Sequence, residues 1–459
     1  MREFRTLGRA PAREGPRQAT AASLTGTVPS DGADSLRTVS LADADRHLEE
    51  AAQAGPESLA RVVPSGRGEQ LRQDPYGEVA NSRRRRRLSA YRALDLLSTF
   101  SALERVRKCR RVATGSGPIE VRYRPQEARA HFAGLQTCGS VWACPCCSER
   151  ILAGRASELL RAIATHRAGG GEVLLLTLTM RHNREQALGE LWDALGEAWR
   201  AASSGARSVR ELLRSIDWVR RVEATHGENG WHVHVHALLF VEAGTDPEPL
   251  GDAMFEAWGR RLVSLGLDAP LAGPGMQIKR LDLTNASGEV AEYLAKGHYE
   301  EVRPARLEEV RPARLAALEL ASAGKLARGQ NRTPMQVLGD FVANGEATDA
   351  ELWREWEAGS KGRRALTWSR GARDRLVGED ELTDEELAQD SDGGGDLVAL
   401  IDARAWPAIA SRPQLMARLL TVVETSDEAA DAFERLDRLL CAVSLSGALY
   451  RPPEGLPEW

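Results

Sequence analysis

The run Trp231-His232-Val233-His234-Val235-His236-Ala237-Leu238-Leu239-Phe240 alternates imidazoles with small or β-branched residues and then turns wholly apolar. A strand sends residues i, i+2 and i+4 to one face. An extended backbone here therefore aligns His232, His234 and His236 on one side, with Val233 and Val235 on the other. Three of the chain's nine histidines share that rigid face. Imidazole is the commonest side-chain ligand for divalent ions, so such a face is a preorganised set of metal donors. Trp218–Ala224 reads as a partner strand, and the intervening Gly227-Glu228-Asn229-Gly230 carries the Asn-Gly signal of a hairpin. A hairpin symmetric about that turn sets Glu223 opposite His232. His232, His234, His236 and Glu223 are thus candidate donors for one ion.

Further along the chain, helical and strand patterns alternate. Val173–Thr179 is an apolar, Thr-punctuated run with buried-strand character, and 276–283 reads as another strand. Helical spacing covers 88–103, 151–167, 185–214, 247–266, 287–299 and 333–378. Residues 1–80 are rich in Ala, Gly, Pro, Arg and Asp and show no sustained period, which predicts disorder. The Arg83–Arg87 run extends that region to 87, as either a solvated tail or a phosphate-gripping arm. The divisions that follow are a Cys-rich module (88–151), a core (152–300), an insertion (301–316) and a helical Arg/Trp-rich region (317–378). An acidic linker (379–396) and a small helical region (397–459) complete the chain. At 300–307 and 308–315 the octapeptide Glu-Glu-Val-Arg-Pro-Ala-Arg-Leu occurs in tandem. Such a duplication marks a surface segment tolerant of length change.

Charge is segregated. Residues 379–396 hold nine acids and no base, and 397–459 carry a net −3, so the net −5 of the chain conceals +7 on residues 1–378. A basic body with an acidic tail suits a polyanionic partner. Arginine outnumbers lysine 56 to 5, and guanidinium is the better fork for phosphate. An Arg/Trp patch, with Arg363, Arg364, Trp368 and Arg370, can stack unpaired bases and bind phosphates; a surface helix with one buried Trp fits the same residues. No run of 18 apolar residues and no charged-then-apolar leader occur, which predicts a soluble, cytoplasmic protein without membrane association.

Four of six cysteines cluster at Cys138, Cys144, Cys146 and Cys147. Without a secretion signal, clustering argues for metal rather than disulfides. Cys144-x2-Cys147 is a zinc-knuckle half. Cys138 and Cys109 are the candidates to complete a structural Zn²⁺ site, while Cys146 blurs the choice and His131 is a lesser substitute. Cys441, isolated in an apolar helix, reads as a core residue.

A second constellation lies at Gly288–Gly297. On a helix, Glu289, Tyr293 and Lys296 fall within an arc of about 60°. Tyrosine is a covalent nucleophile once its phenol is deprotonated or its target made electrophilic. A nearby ammonium stabilises phenolate and phosphate charge, and a carboxylate activates water.

Taken together, Leu-Thr-Leu-Thr, Gly-Trp-His-x-His-x-His and a later Tyr-Leu-Ala-Lys resemble the rolling-circle replication initiators of plasmids, within the His-hydrophobe-His (HUH) endonuclease superfamily. The upstream Cys-Gly-Ser-Val-Trp-Ala-Cys-Pro-Cys-Cys, with Thr-Pro-Met-Gln and Thr-Trp-Ser-Arg-Gly, is similar to stretches of the actinobacterial plasmid group. The resemblance covers about residues 100–378. It implies an α+β fold: a central antiparallel sheet of ferredoxin/RRM-like type flanked by helices, with an N-terminal Cys-rich zinc module and helical C-terminal additions. It implies a Mn²⁺ or Mg²⁺ ion on His234 and His236, Tyr293 as nucleophile, Lys296 as the motif lysine and Glu289 as the residue aiding final hydrolysis. On donor softness alone, Zn²⁺ suits the histidine site equally well. The implied reaction nicks single-stranded plasmid origin DNA, leaving a 5′-phosphotyrosine and a free 3′-OH. The implied partners are single-stranded and duplex origin DNA with the host helicase and polymerase. A transposase or relaxase shares the chemistry, though relaxases usually place the tyrosine before the histidines. A non-enzymatic, zinc-stabilised DNA-binding regulator is the remaining alternative.

Overall fold

Thr177 faces His236 across a pair of antiparallel strands, and this register organises the larger of two sheets. The computed structural model describes residues 75–205, 207–213, 216–281, 331–378, 382–389 and 394–458. In chain order its strands are β1 (Ile119–Arg124), β2 (Arg129–Ala133), β3 (Glu172–Thr179), β4 (Asp217–Gly227), β5 (Gly230–Val241), β6 (Met276–Arg280), β7 (Leu366–Trp368), β8 (Asp396–Ile401) and β9 (Leu449–Tyr450). The longer helices are α1 (Pro75–Phe100), α2 (Pro145–Ala168), α3 (Leu188–Arg200), α4 (Pro247–Ser264), α5 (Pro334–Asn344), α6 (Ala347–Ser360), α7 (Pro413–Glu424) and α8 (Ala429–Ala442). The fold is α+β, with sheet orders β6-β3-β5-β4-β7 and β2-β1-β8-β9, all neighbours antiparallel.

The sequence of β5 shows how the larger sheet is covered. One face, carrying Leu174, Leu176, Val233, Val235, Ala237 and Leu239, is buried under apolar side chains of α3 and α4, among them Leu191, Leu195, Met254 and Trp258. On the other face, Val173, Leu175, Val219, Leu238 and Phe240 pack against Ala156, Leu159, Ala162 and Ile163 of α2. Both faces are therefore covered at 237–241, which explains the unbroken apolar run there. Between 232 and 236 only the valine face enters the apolar core, while on the other face His232 and His234 are half-buried and His236 is buried. A one-residue slip would bury three imidazoles and expose the valines, so burial pins the register.

The β4–β5 hairpin corrects one expectation. Gly227 pairs with Gly230 around a two-residue loop, Glu228-Asn229, and the count outward places Glu223 opposite His234, with Thr225 opposite His232. The two-residue offset preserves the face and changes the partner. Gly230 has φ of +81°, and a Cβ there would lie 2.8 Å from Arg184 Cα. Only glycine admits both the left-handed turn and the close approach of the 180–186 loop.

The smaller sheet joins distant parts of the chain. The Cys-bearing, turn-rich stretch contains β1 and β2, with Ile119, Val121 and Tyr123 inward and their neighbours half-exposed. Its other neighbour is β8, through Ile119↔Ile401 and Val121↔Ala399, so residues read as the end of a linker and the start of a helical region also supply a strand. The Arg83–Arg87 run lies on α1. Arg87 makes two hydrogen bonds to the Glu424 carboxylate at the end of α7, at 2.9 and 2.6 Å. Glu424 also accepts from the Ala130 N–H at 3.1 Å. Part of that run therefore ties α1 to α7 and β2. No helix among the described residues is long and apolar enough to cross a membrane.

Candidate metal centres

Neighbouring strands converge three ligand atoms on the histidine face. Glu223 Oε2 lies 3.3 Å from His234 Nε2 and 3.4 Å from His236 Nε2. The two Nε2 atoms are 3.0 Å apart. These side chains are 8–14% exposed. Thr177 Oγ1 hydrogen-bonds His236 Nδ1 at 3.0 Å. With the proton on Nδ1, the lone pair of His236 sits on Nε2 and faces the other two donors.

The spacing fits a cation. Octahedral ligands at about 2.1 Å from a metal lie about 3.0 Å apart in cis positions. Tetrahedral ligands at about 2.05 Å lie about 3.3 Å apart. The observed edges span both values, so the donors fit a divalent ion without choosing between the two geometries. Burial opposes ionisation of Glu223, but in the metal-free tautomers that carry the proton on Nε2, hydrogen bonds from His234 and His236 outweigh it and hold the carboxyl well below its usual range. The carboxylate therefore stays anionic at neutral pH.

His232 stands apart from this triad. Its ring packs against His182 at 5.0 Å and His234 at 5.1 Å between centroids. Burial, with the charges of His234 and His182, depresses its pKa to about 4. It is a neutral imidazole at the rim, and the group whose ligand atoms converge is Glu223, His234 and His236. Sequence reasoning missed His182, which sits three residues beyond β3 and hydrogen-bonds the Asn229 carbonyl through Nδ1 at 2.9 Å. The signal was its place just after Leu-Thr-Leu-Thr, at the end of a strand beside the histidines.

The second centre is built from thiols. Sγ atoms of Cys109, Cys138, Cys144 and Cys147 gather within 4.8 Å of one another, each residue 0–2% exposed. Cys109–Cys147, Cys138–Cys147 and Cys109–Cys144 are each separated by 3.6 Å. A disulfide needs about 2.05 Å, whereas a tetrahedron of thiolates at about 2.3 Å from a metal has edges of about 3.8 Å. The thiols are arranged for a shared ion. Cys144 caps α2, accepting from the Cys147 N–H, and Ser140 N–H points to Cys138 Sγ at 3.5 Å. Burial pushes the Cys144 thiol up, while hydrogen bonds from Cys109, Cys138 and Cys144 pull Cys147 down. Neither Cys146, half-buried, nor His131 belongs to the cluster, and Cys441, expected in the core, lies on the exposed side of α8.

The cysteine loop reaches the histidine sheet through Trp142. Its ring lies 5.9 Å from the guanidinium of Arg221, the cross-strand neighbour of His236. The Arg/Trp patch divides. Arg363 is a strut, paired with Asp193 at 2.9 Å and set over Trp192 at 5.1 Å. Trp368 stacks on Phe240 at 6.4 Å. Arg364 and Arg370 are exposed. Tyr293, Lys296 and Glu289 lie outside the described residues, as do the tandem octapeptides. The described chain leaves β6 at Leu281, bonded to Val173, and resumes near Arg332, bonded to His226 beside the β4–β5 turn.

A family model described as "Replication protein" matches residues 130–245, which hold Glu223, the three histidines and three of the four clustered cysteines. "Protein rep" of Streptomyces lividans is 30% identical across 57% of this chain and 69% of its own length. "Neomycin resistance protein" of Streptomyces cyanogenus is 31% identical over 25% of this chain and 32% of its own. No solved structure matches the chain.

Proposed function

Because the chain belongs to the replication-protein family of plasmid replication initiators, we propose that it nicks and rejoins single-stranded origin DNA by HUH chemistry. The observation that carries this reading is the convergence of Glu223, His234 and His236 on one face of the sheet. Those three residues hold Mn²⁺ or Mg²⁺, with His232 at the rim. The ion, when bound, offsets phosphate charge and makes phosphorus more electrophilic.

Tyr293 is the nucleophile. Its phenol is about 99.9% protonated at pH 7 for a pKa near 10, so the oxygen must lose a proton as it attacks. The new bond joins the Tyr293 oxygen to the 5′-side phosphorus, and the departing 3′ oxygen takes up a proton to become a primer terminus. Lys296 stabilises the phenolate and phosphate charge. The phosphotyrosine keeps the energy of the phosphodiester, so a 3′-OH rejoins the strand without a nucleotide cofactor. Glu289 activates water for the final release. The stretch carrying these residues connects Leu281 to Asn331, whose flanks lie at opposite ends of the histidine-bearing sheet. The four-thiol cluster holds structural Zn²⁺, and origin DNA, host helicase and polymerase are the partners.

Incubation with a single-stranded origin oligonucleotide and Mn²⁺ tests the reading. Wild type forms a covalent adduct, and Tyr293→Phe abolishes it while binding stays within a few-fold. A wild-type protein that binds but leaves the strand intact is a regulator instead. Full-rate nicking by a His234→Ala/His236→Ala variant overturns the metal assignment.

A further inference from the structure

A second feature of the large sheet serves no role in that scheme. On the face of β4 opposite Glu223, Trp218, Arg220 and Val222 border a groove of about 470 Å³ closed by α3 and the segment around Arg364. Trp199 and Trp218 meet edge to face at 5.0 Å, and Arg220 lies 5.7 Å from the Trp199 ring. Arg200 and Arg364 edge the groove and are exposed. Among the described residues no carboxylate pairs with Arg220 or Arg364. Asp193, the one acid in the lining, is taken by Arg363.

The groove also holds two hydrogen-bond donors without acceptors. Arg220 Nε–H and the indole N–H of Trp199 are buried and unmatched. Burial, with the charge of Arg200, brings the Arg220 pKa down to about 10, so it remains cationic at neutral pH. A half-buried guanidinium with no counter-charge, its Nε–H shielded and unmatched beside an idle indole donor, is an arrangement that an external anion's oxygens would satisfy.

We propose that this groove binds one nucleotide unit of single-stranded DNA, its phosphate on Arg220 and Arg364 and its base against Trp218. The volume lies within the range of small-molecule sites, roughly 300–1,000 Å³, and is too small for duplex. Cationic side chains interleaved with aromatic rings are how proteins hold single strands without reading sequence. The proposal rests on the initiator reading and deepens it by assigning a second place where the strand is held, on the sheet face away from the metal centre.

The test uses labelled oligothymidylate lacking any origin sequence, with no added divalent ion, so that binding is measured without nicking. Arg220→Gln/Arg364→Gln weakens binding tenfold or more and lowers the salt slope by about 0.7 for each phosphate no longer neutralised. Trp218→Ala weakens it without changing the slope. If Arg220→Gln does not fold, Arg364→Gln alone lowers affinity about threefold with a reduced slope. Unchanged affinity and slope in the folded arginine variants overturns the proposal. So does competition by inorganic phosphate as effective, per phosphate, as that by the oligonucleotide, which makes the groove a simple anion site. Loss of adduct formation with intact oligothymidylate binding sinks the nicking scheme and leaves this site standing.

Discussion

The thiol cluster and the Glu-His-His group differ in the way a closed metal site differs from an open one. Four sulfurs from three separate stretches, all 0–2% exposed, surround one point and leave no room for a further ligand. Three donors from one hairpin, 8–14% exposed, define one side of a point and leave the rest to solvent or substrate. A site closed by protein gives its binding energy to folding; a site left open spends it on the substrate. The difference also shows in sequence separation. Cys109 and Cys138 are tied to α2 by the cluster, whereas the hairpin already holds Glu223 against His234 by backbone pairing.

This contrast is sharpest under substitution. Removing one thiol with Cys144→Ser should lower bound metal by one ion per chain and bring the melting temperature down by more than about 10 °C, or leave the protein insoluble. Elemental analysis and calorimetry check it. Unchanged metal content and melting would make the cysteines ordinary core residues. Glu223→Gln should do the opposite, cutting Mn²⁺-dependent nicking roughly a hundredfold or more while melting stays within a few degrees. A large loss of stability there would assign the centre to folding and erase the distinction.

Local pattern carried most of the histidine centre and little of its surroundings. The alternation in β5 exposes its two faces directly, and the apolar run after His236 marks where both are covered. Glu223 was legible as a donor, and its partner was legible too: symmetry about Gly227–Gly230 pairs Glu223 with His234, so the expected pairing with His232 was a counting slip of two positions. Among the cysteines, helix geometry decides: Cys144 caps α2 and Cys147 lies one turn on, so their sulfurs converge, while Cys146 points about 100° away. The β1–β8 pairing was out of reach. Ile119, Val121 and Tyr123 alternate visibly, yet nothing near them names a strand at Asp396–Ile401. The same holds for Arg87, whose partner Glu424 lies across the chain, and for Arg220, whose groove assembles from α3, β4 and the Arg364 segment.

The smallest expected effect separates the open centre from the closed one most finely. Thr177 touches no other donor of the triad directly; it orients His236 through the Oγ1–Nδ1 hydrogen bond at 3.0 Å. Valine keeps the β-branched shape that suits the strand and removes the hydroxyl. Partners of this kind typically set metal affinity by ten- to a hundredfold, and here the ring is also held by the strand and by Glu223, so the lower end applies. Thr177→Val should raise the Mn²⁺ concentration for half-maximal nicking by about tenfold, with the rate at saturating Mn²⁺ near wild type. A lowered saturating rate at unchanged half-maximal Mn²⁺ would mean that Thr177 acts on the DNA strand rather than on the His236 ring. Cysteine-bound metal should not change at all, because no atom of the thiol cluster depends on that hydroxyl.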